Sequence, residues 1–123
     1  MSTLTIISIV DDDNSVRESL QGLIRSVGFA VEVFASAEEF LNSDHLRNTR
    51  CLILDVRMPG MNGLELQRQL VASHREIPVI FITGHGNEKA RTQALKNGAV
   101  DYLLKPFGEE ALLSAIYTAL NSK

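Results

Sequence analysis

The sequence contains a single cysteine, Cys51, so it cannot form an internal disulfide, which favours a reducing compartment. It has no apolar run of the roughly 18 residues that a membrane-spanning helix needs. The N-terminal segment MSTLTIISIV lacks the basic flank of a signal peptide. The net charge of −3 argues against nucleic-acid binding by this chain itself. We therefore expect a cytoplasmic protein that contacts neither membrane nor nucleic acid through this chain.

The length of 123 residues is typical of one domain and allows one sizeable core. Hydrophobic residues make up 45% of the chain and charged residues 22%, which are ordinary values for a globular protein. No repeat or low-complexity tract divides the sequence. We expect residues 1–123 to form a single domain in which Cys51 is a small core residue.

Five apolar segments predict β-strands. Most are β-branched and continuous, a pattern typical of strands that are covered on both faces. The predicted strands are Leu4–Val10, Ala30–Phe34, Cys51–Leu54, Pro78–Thr83 and Ala99–Leu104.

Amphipathic helical patterns separate and follow these strands. Ser15 and Glu18 predict a capping box before the first helix, Gly28 predicts its end, and Ser36 with Glu39 repeats the capping signal before a short second helix. The fourth helix is predicted at about Glu88–Asn97 and the fifth from about Glu109. The apolar stripes of the first and third helices are Val16, Leu20, Leu23, Ile24 and Val27, and Leu64, Leu66, Leu70 and Val71.

Five such βα units predict a parallel sheet with helices on both faces, in which ligands bind at the carboxyl ends of the strands. The residues at those ends are polar and chemically reactive. Asp11, Asp12 and Asp13 follow the first strand, Asp55 the third, Thr83 ends the fourth, and Lys105 follows the fifth.

Clustered carboxylates repel one another by about 4 kcal/mol at ~4 Å and an effective dielectric of 20, so such a site takes up a proton or binds a cation. A site of oxygen ligands without His or Cys favours a hard ion such as Mg²⁺ (or Mn²⁺). A metal with open positions suits a phosphoryl group, with Lys105 and Thr83 as further contacts to its oxygens. Asp55, beside a loop rich in Gly and Pro, is then the candidate nucleophile that becomes an aspartyl phosphate.

Simpler explanations exist for individual residues. Asp13 is expected to be an N-cap, although Ser15 or Asn14 fills the best cap position. Lys105 and Thr83 taken singly are ordinary strand-end residues. The functional interpretation depends on their joint placement with the acidic residues.

Four segments together resemble the receiver domain of two-component response regulators: IVDDD, LILDVRMPGMNG, VIFITGHG and GAVDYLLKPF. They extend over the whole chain in the order found in that family. The segments DVRMPGMNGLELQ and TGHG are similar to those of the nitrogen-fixation-type transcription regulators. The resemblance implies a flavodoxin-like (βα)5 fold, a doubly wound parallel sheet with strand order 2-1-3-4-5, in a bacterial cytoplasm.

The resemblance also implies a role for each site residue. Asp55 is the expected phosphoacceptor for a sensor histidine kinase, and Thr83 and Lys105 hold the phosphoryl oxygens. The metal ligands are expected to be Asp11, Asp12, Asp55 and the backbone carbonyl of Arg57. The Lys105–Pro106 peptide bond is expected to be cis, and Tyr102 to be an aromatic switch that turns inward when Thr83 moves; the simpler alternative for Tyr102 is a half-buried strand aromatic.

Arg57 and His85 flank the expected site at positions that vary within the family. We hypothesise that they set the lifetime of the phosphorylated state by controlling access of water. The alternative for His85 is a loop residue that faces solvent.

Phosphorylation is expected to favour an active conformation and expose an output face of helix four, strand five and helix five. On that face Arg91, Lys96, Asp101 and Tyr102 are candidates for a symmetric, charge-paired homodimer contact. If the chain is a fragment, the resemblance implies a transcription regulator with a C-terminal helix-turn-helix domain. If it is complete, a stand-alone module that acts by protein contact is implied.

Three other functions share features with this sequence. A haloacid-dehalogenase-type phosphohydrolase needs a second Asp where Arg57 stands, and a flavodoxin-like flavin binder needs a first loop that the acidic run DDD would make repulsive to phosphate. A degenerate receiver used only for constitutive contacts would not need the intact acidic, Thr and Lys set. We expect a phosphoacceptor that assists its own phosphorylation and hydrolysis, and not an enzyme in the usual sense.

Overall fold

The computed structural model describes residues 5–121, in which strands and helices alternate along the chain. The strands are β1 Ile6–Val10, β2 Ala30–Phe34, β3 Thr49–Asp55, β4 Val79–Thr83 and β5 Asp101–Leu104. The helices are α1 Asn14–Ser26, α2 Ala37–Leu41, α3 Gly63–Ala72, α4 Glu88–Lys96 and α5 Glu109–Asn121. None of these helices is long and apolar enough to cross a membrane.

The strands form one parallel sheet in the order β2-β1-β3-β4-β5, which confirms the predicted flavodoxin-like topology. Val10 pairs with Phe34 on one side and Leu54 on the other, and Thr83 pairs with Leu104. Because these pairs lie at the carboxyl ends of their strands, the residues that follow meet at one edge of the sheet.

Helices cover both faces of the sheet. Alternate strand residues point to opposite faces, so Leu52 and Leu54 pack toward α2, α3 and α4, whereas Cys51 and Ile53 pack toward α1 and α5. Each of these four side chains has no exposed surface. The expectation for Cys51 is confirmed, and burial raises the pKa of its thiol to about 12, which suppresses the reactive thiolate.

The predicted strand boundaries differ from the observed ones mainly at their beginnings. The first predicted strand includes Leu4, which lies outside the described residues. The fifth strand begins at Asp101, not at Ala99, because the N–H of Ala99 donates to the carbonyl of Ala94 at 3.0 Å and closes the end of α4.

The capping box predicted at Ser15 and Glu18 is wrong, whereas the expectation that Asp13 is an N-cap is confirmed. Asp13 is the N-cap, and its Oδ1 accepts from the N–H of Ser15 at 2.9 Å and of Val16 at 3.4 Å. The N–H of Asp13 in turn donates to Oδ1 of Asp11, which turns the chain so that the helix begins at Asn14. At α2 the predicted cap is confirmed, because the Ser36 hydroxyl accepts from the N–H of Glu39 at 3.1 Å.

Two apolar residues assigned to buried stripes are exposed. Val71 is 54% exposed and Val27 is 37% exposed. In α3 the buried stripe runs through Leu66, Gln67 and Leu70, so Val71 lies outside it and the polar Gln67 takes the inner position. There the Gln67 amide donates to the carbonyl of Ala94 in α4 at 2.9 Å.

Candidate functional site

Three carboxylates meet at the carboxyl edge of the sheet. One ligand oxygen from each of Asp11, Asp12 and Asp55 lies within 4.8 Å of the others. Asp11 follows β1 and has no exposed surface, Asp55 ends β3 and is 5% exposed, and Asp12 faces solvent. The acidic cluster predicted from the strand ends is therefore present.

Lys105 joins this cluster from the loop after β5. Its Nζ lies 3.0 Å from Oδ2 of Asp11 and 4.0 Å from Oδ1 of Asp55. The ammonium group donates a hydrogen bond to the fully buried carboxylate of Asp11 and forms an ion pair with it. It is also close enough to attract the carboxylate of Asp55. The Lys105–Pro106 peptide bond is cis.

The surroundings of Asp55 shift the pKa of its carboxyl group upward. Its burial and the neighbouring charge of Asp11 raise its pKa from 3.8 to about 6, against the opposing effects of Lys105 and of a hydrogen bond from the backbone N–H of Arg57. The ionised form is therefore stabilised by any added positive charge. The buried carboxylate of Asp55 thus offers a nucleophilic oxygen, and a bound cation would stabilise its ionised form.

The donor set fits a hard divalent cation. Three carboxylates supply oxygen ligands, and a cation bound between them relieves the electrostatic repulsion between Asp11 and Asp55. Oxygen-only sites select Mg²⁺, Ca²⁺ or Mn²⁺ over softer metals. The arrangement can thus hold an ion beside a buried carboxylate that is able to attack an electrophile.

Thr83 ends β4 and is 1% exposed. Its hydroxyl accepts from the N–H of His85 at 3.2 Å and lies 3.4 Å from the His85 carbonyl, so it is engaged with the loop after β4. The side chain of His85 itself is exposed, as is that of Arg57.

The ring of Tyr102 faces the interior, unlike the surface position expected for a dimer contact. The residue is 8% exposed, and its ring centroid lies 6.3 Å from that of Phe81. Within residues 5–121 its hydroxyl has no hydrogen-bond partner. Burial raises its pKa, against smaller opposing effects of Arg57 and Arg91.

The family model for the response regulator receiver domain matches residues 7–117. The chain belongs to this family. The match covers nearly all of the described residues and includes every residue of the acidic cluster.

The relatives of this receiver domain include response regulator, nodulation and transcriptional regulatory proteins. It is 53% identical over 116 residues to response regulator protein TodT of Pseudomonas putida, covering 94% of this chain and 51% of that protein. It is 49% identical over 118 residues to nodulation protein W of Bradyrhizobium diazoefficiens, covering 96% of this chain and 52% of that protein. The crystal structure of FixJ-N superposes on this chain with a TM-score of 0.87 at 40% identity, and the match covers 99% of this chain and 98% of that one. The chain spans about half the length of the curated relatives named here.

Two residues that form hydrogen bonds to the backbone around the receiver site were missed by sequence reasoning. Arg17 of α1 donates from Nη1 to the carbonyl of Asp11 at 2.7 Å, and Glu38 of α2 accepts from the N–H of Met61 at 3.0 Å. Neither belongs to a motif, and charged residues on exposed helix turns are common. The contacts depend on how the loops fold over the sheet edge, which no local pattern encodes.

Proposed function

We propose that this receiver domain takes part in a phosphorelay in which Asp55 accepts a phosphoryl group from a sensor histidine kinase. A carboxylate oxygen of Asp55 forms the bond to phosphorus while the P–N bond of phosphohistidine breaks, and the electron pair of that bond returns to the imidazole nitrogen. The observation that carries this proposal is the burial of Asp55 beside Asp11 and Lys105, with its pKa raised to about 6. A strand-end aspartate that served only to cap a helix would have no such neighbours.

The metal ion of the proposal is Mg²⁺ (or Mn²⁺), held by Asp11, Asp12, Asp55 and the backbone carbonyl of Arg57. When bound, the ion neutralises oxygens of the transferring phosphoryl group. The support for this set is the oxygen-only cluster of three carboxylates. The protein's own contribution is to keep Asp55 buried and ionised in one orientation.

Lys105 and Thr83 are proposed to contact the phosphoryl oxygens once they arrive. The Lys105 ammonium lies 3.0 Å from Asp11 and 4.0 Å from Asp55, so a small movement changes its partner. For Thr83 to donate to a phosphoryl oxygen, its hydroxyl must turn away from the backbone of His85. Tyr102 is proposed to respond as the aromatic switch, and its inward ring is the arrangement that the resemblance assigns to the active state.

The first test is incubation with acetyl phosphate and Mg²⁺, followed by intact-mass measurement. We expect a gain of one phosphoryl group, which Asp55→Asn and excess EDTA both abolish. Asp13→Asn is a matched control, because Asp13 carries the same charge two residues from Asp11 and serves as an N-cap that Asn replaces well. Phosphorylation of Asp55→Asn at the wild-type level would refute the assignment.

No gain of mass in the wild type would favour a degenerate module or a receiver that accepts phosphate only from its own kinase. Binding of beryllofluoride, which mimics a phosphoryl group, separates these two outcomes. Wild-type protein that binds beryllofluoride with Mg²⁺ retains a working site, whereas protein that does not is a contact module.

The domain is proposed to assist its own phosphorylation and hydrolysis without being an enzyme in the usual sense. Arg57 and His85 are proposed to set the lifetime of the phosphorylated state, since both side chains are exposed beside the site. Arg57→Asn is expected to change the dephosphorylation rate. An unchanged rate, measured as loss of phosphoprotein after removal of the donor, would refute the hypothesis for Arg57.

The proposed output is control of transcription through a helix-turn-helix domain elsewhere in the full protein. A relative that is 39% identical to this chain over 120 residues is named transcriptional regulatory protein FixJ, and the chain covers 58% of that protein. The alternative is a stand-alone regulator that acts by protein contact. A bacterial cytoplasmic location is part of the same proposal and is supported by the free, buried thiol of Cys51.

The proposed homodimer uses the face formed by α4, β5 and α5. Arg91 and Lys96 are exposed there, Asp101 is partly exposed, and Leu104 adds an apolar residue that is 52% exposed. Tyr102 contributes little surface in its inward position. The support is therefore the charged pattern and not the tyrosine ring.

Sedimentation velocity with Mg²⁺ and beryllofluoride tests this dimer. We expect the wild type to dimerise, and Arg91→Asp or Asp101→Arg alone to remain monomeric. If the two residues pair across a two-fold axis, the combined substitution restores the dimer. Dimerisation of both single variants at the wild-type concentration would refute the contact.

A further inference from the structure

The loop between β3 and α3, residues 56–62, connects the acidic cluster to the rest of the fold. It begins directly after Asp55, and the backbone N–H of Arg57 donates to the Asp55 carboxylate. The N–H of Gly63 closes the loop on the carbonyl of Val56 at 3.0 Å. A side chain at Gly63 would collide with the Asp55 backbone, so the loop returns in close contact with the strand end. The loop conformation therefore determines what Arg57 presents to Asp55.

Glu38 of α2 is bonded to the middle of this loop. Its Oε2 accepts from the N–H of Met61 at 3.0 Å. The preceding residue, Gly60, has φ of +74°, and a Cβ there would lie 3.0 Å from the same Oε2. Glycine is therefore favoured at position 60 for two reasons, the positive φ and the close approach of the backbone to the Glu38 carboxylate.

The helix that carries Glu38 is fixed to the core. Ala37 and Phe40 have no exposed surface, although α2 has only five residues. In the loop, Met58 belongs to the same hydrophobic cluster as Ala37 and Phe40, and Met61 packs against that cluster. Glu38 is thus held on one side by the core and on the other by the loop.

The capping of α2 does not account for this bond. The Ser36 hydroxyl caps the helix through the N–H of Glu39, and Oε1 of Glu39 accepts from the N–H of Ala35 at 3.1 Å. Glu38 and Glu39 are adjacent acidic residues in the first turn, where both lie near the positive end of the helix dipole. Only Glu38 reaches the loop that contains Arg57.

We propose that Glu38 is a positioning residue that holds the loop 56–62 in the conformation required for Mg²⁺ binding and phosphorylation at Asp55. This inference rests on the proposed function. The loss of one such hydrogen bond lets the loop sample other conformations, and binding weakens in proportion to the population that is lost. We expect Glu38→Ala to weaken Mg²⁺ affinity and to slow phosphorylation by acetyl phosphate by about three- to tenfold.

The experiment compares Glu38→Ala, Glu38→Gln and Glu39→Ala in the protein without any phosphoryl donor. Mg²⁺ alone is titrated by isothermal calorimetry, and exchange of the Met61 amide hydrogen is followed by NMR. Glu38→Gln keeps an acceptor oxygen without the charge. Glu39→Ala removes the same charge and one backbone hydrogen bond from the same turn, but has no bond to the loop.

We expect faster Met61 exchange and weaker Mg²⁺ binding in Glu38→Ala, with Glu38→Gln and Glu39→Ala close to wild type. Equal weakening in Glu38→Ala and Glu39→Ala would mean that charge or helix stability is responsible, and would overturn the inference. So would a Glu38→Ala variant with wild-type affinity. Failure of the wild type to bind Mg²⁺ would instead refute the proposed function together with this inference.

Gly60→Ala provides a second route to the same contact. The new methyl group strains the backbone and presses on Oε2 of Glu38. The backbone strain is present whether residue 38 is Glu or Ala, whereas the pressure on the carboxylate is absent in Glu38→Ala. We therefore expect Gly60→Ala to weaken Mg²⁺ binding by a smaller factor in the Glu38→Ala background than in the wild type. Equal factors in both backgrounds would show that the loop and Glu38 are not coupled.

Discussion

Replacing Asp55 with Asn is expected to stabilise the folded protein in the absence of metal. The pKa of Asp55 rises from 3.8 to about 6 on folding, and a change of one in pKa corresponds to about 1.4 kcal/mol. The ionised carboxylate therefore costs the folded state about 3 kcal/mol above about pH 6. This net cost already includes the attraction of Lys105, and Asn removes it, so we expect the free energy of unfolding to rise by up to about 3 kcal/mol.

The pH dependence gives the sign of this effect. The folded state holds the Asp55 proton more tightly than the unfolded state, so the wild type loses stability as the pH rises from about 4 to about 6. Asp55→Asn has no titrating group at position 55, so it does not lose this stability as the pH rises. The difference between the two proteins should be near zero below about pH 4, grow through this window and stay constant above it.

Urea unfolding followed by circular dichroism in EDTA, at several pH values from about 4 to about 8, measures this difference. Asp13→Asn is the control, because it removes a neighbouring charge and keeps the cap of α1. Mg²⁺ at a hundred times its dissociation constant should stabilise the wild type by about 2.7 kcal/mol. It should thereby reduce the difference in the free energy of unfolding between the wild type and Asp55→Asn. A difference that does not vary with pH, or a variant less stable than wild type at about pH 7.5, would refute the electrostatic reasoning.

Four further substitutions test local features of the fold by unfolding measurements. Lys105→Met leaves the buried Asp11 carboxylate without its ammonium partner and should lower the free energy of unfolding by about 1–3 kcal/mol; Mg²⁺ should reduce this loss, and an equal loss with and without Mg²⁺ would contradict the reasoning. Gly63→Ala places a methyl group against the backbone of β3 and should lower the free energy of unfolding by about 3 kcal/mol or more. Gly22→Ala meets no such neighbour among the described residues and should stabilise α1 by about 0.5–1 kcal/mol. Tyr102→Phe removes a buried hydroxyl that has no partner within residues 5–121 and should raise stability by about 1 kcal/mol; a loss of that size would indicate a hydrogen bond to water.

Local sequence patterns determined the elements and most of their ends. The strand Ala30–Phe34 and the beginnings of α4 at Glu88 and α5 at Glu109 were predicted correctly, because continuous β-branched runs and helical periodicity are properties of a few neighbouring residues. The cap at Ser36 was predicted for the same reason. The capping box at Ser15 and Glu18 was predicted wrongly, since the start of α1 depends on a turn that the Asp11 side chain makes after β1.

By itself, the sequence determined the alternation of strands and helices, and hence that the strand ends carrying Asp11, Asp55 and Lys105 would meet at one edge. Only the tertiary structure decided that Lys105 lies 3.0 Å from Asp11, that Tyr102 faces the core, and that Glu38 bonds to the loop beside Asp55. The reason is physical: the alternation of strands and helices follows from short-range pattern, and the parallel sheet follows from the chain connectivity. The orientation of a side chain at a sheet edge depends instead on burial, repulsion and hydrogen bonds contributed by segments far apart in the chain.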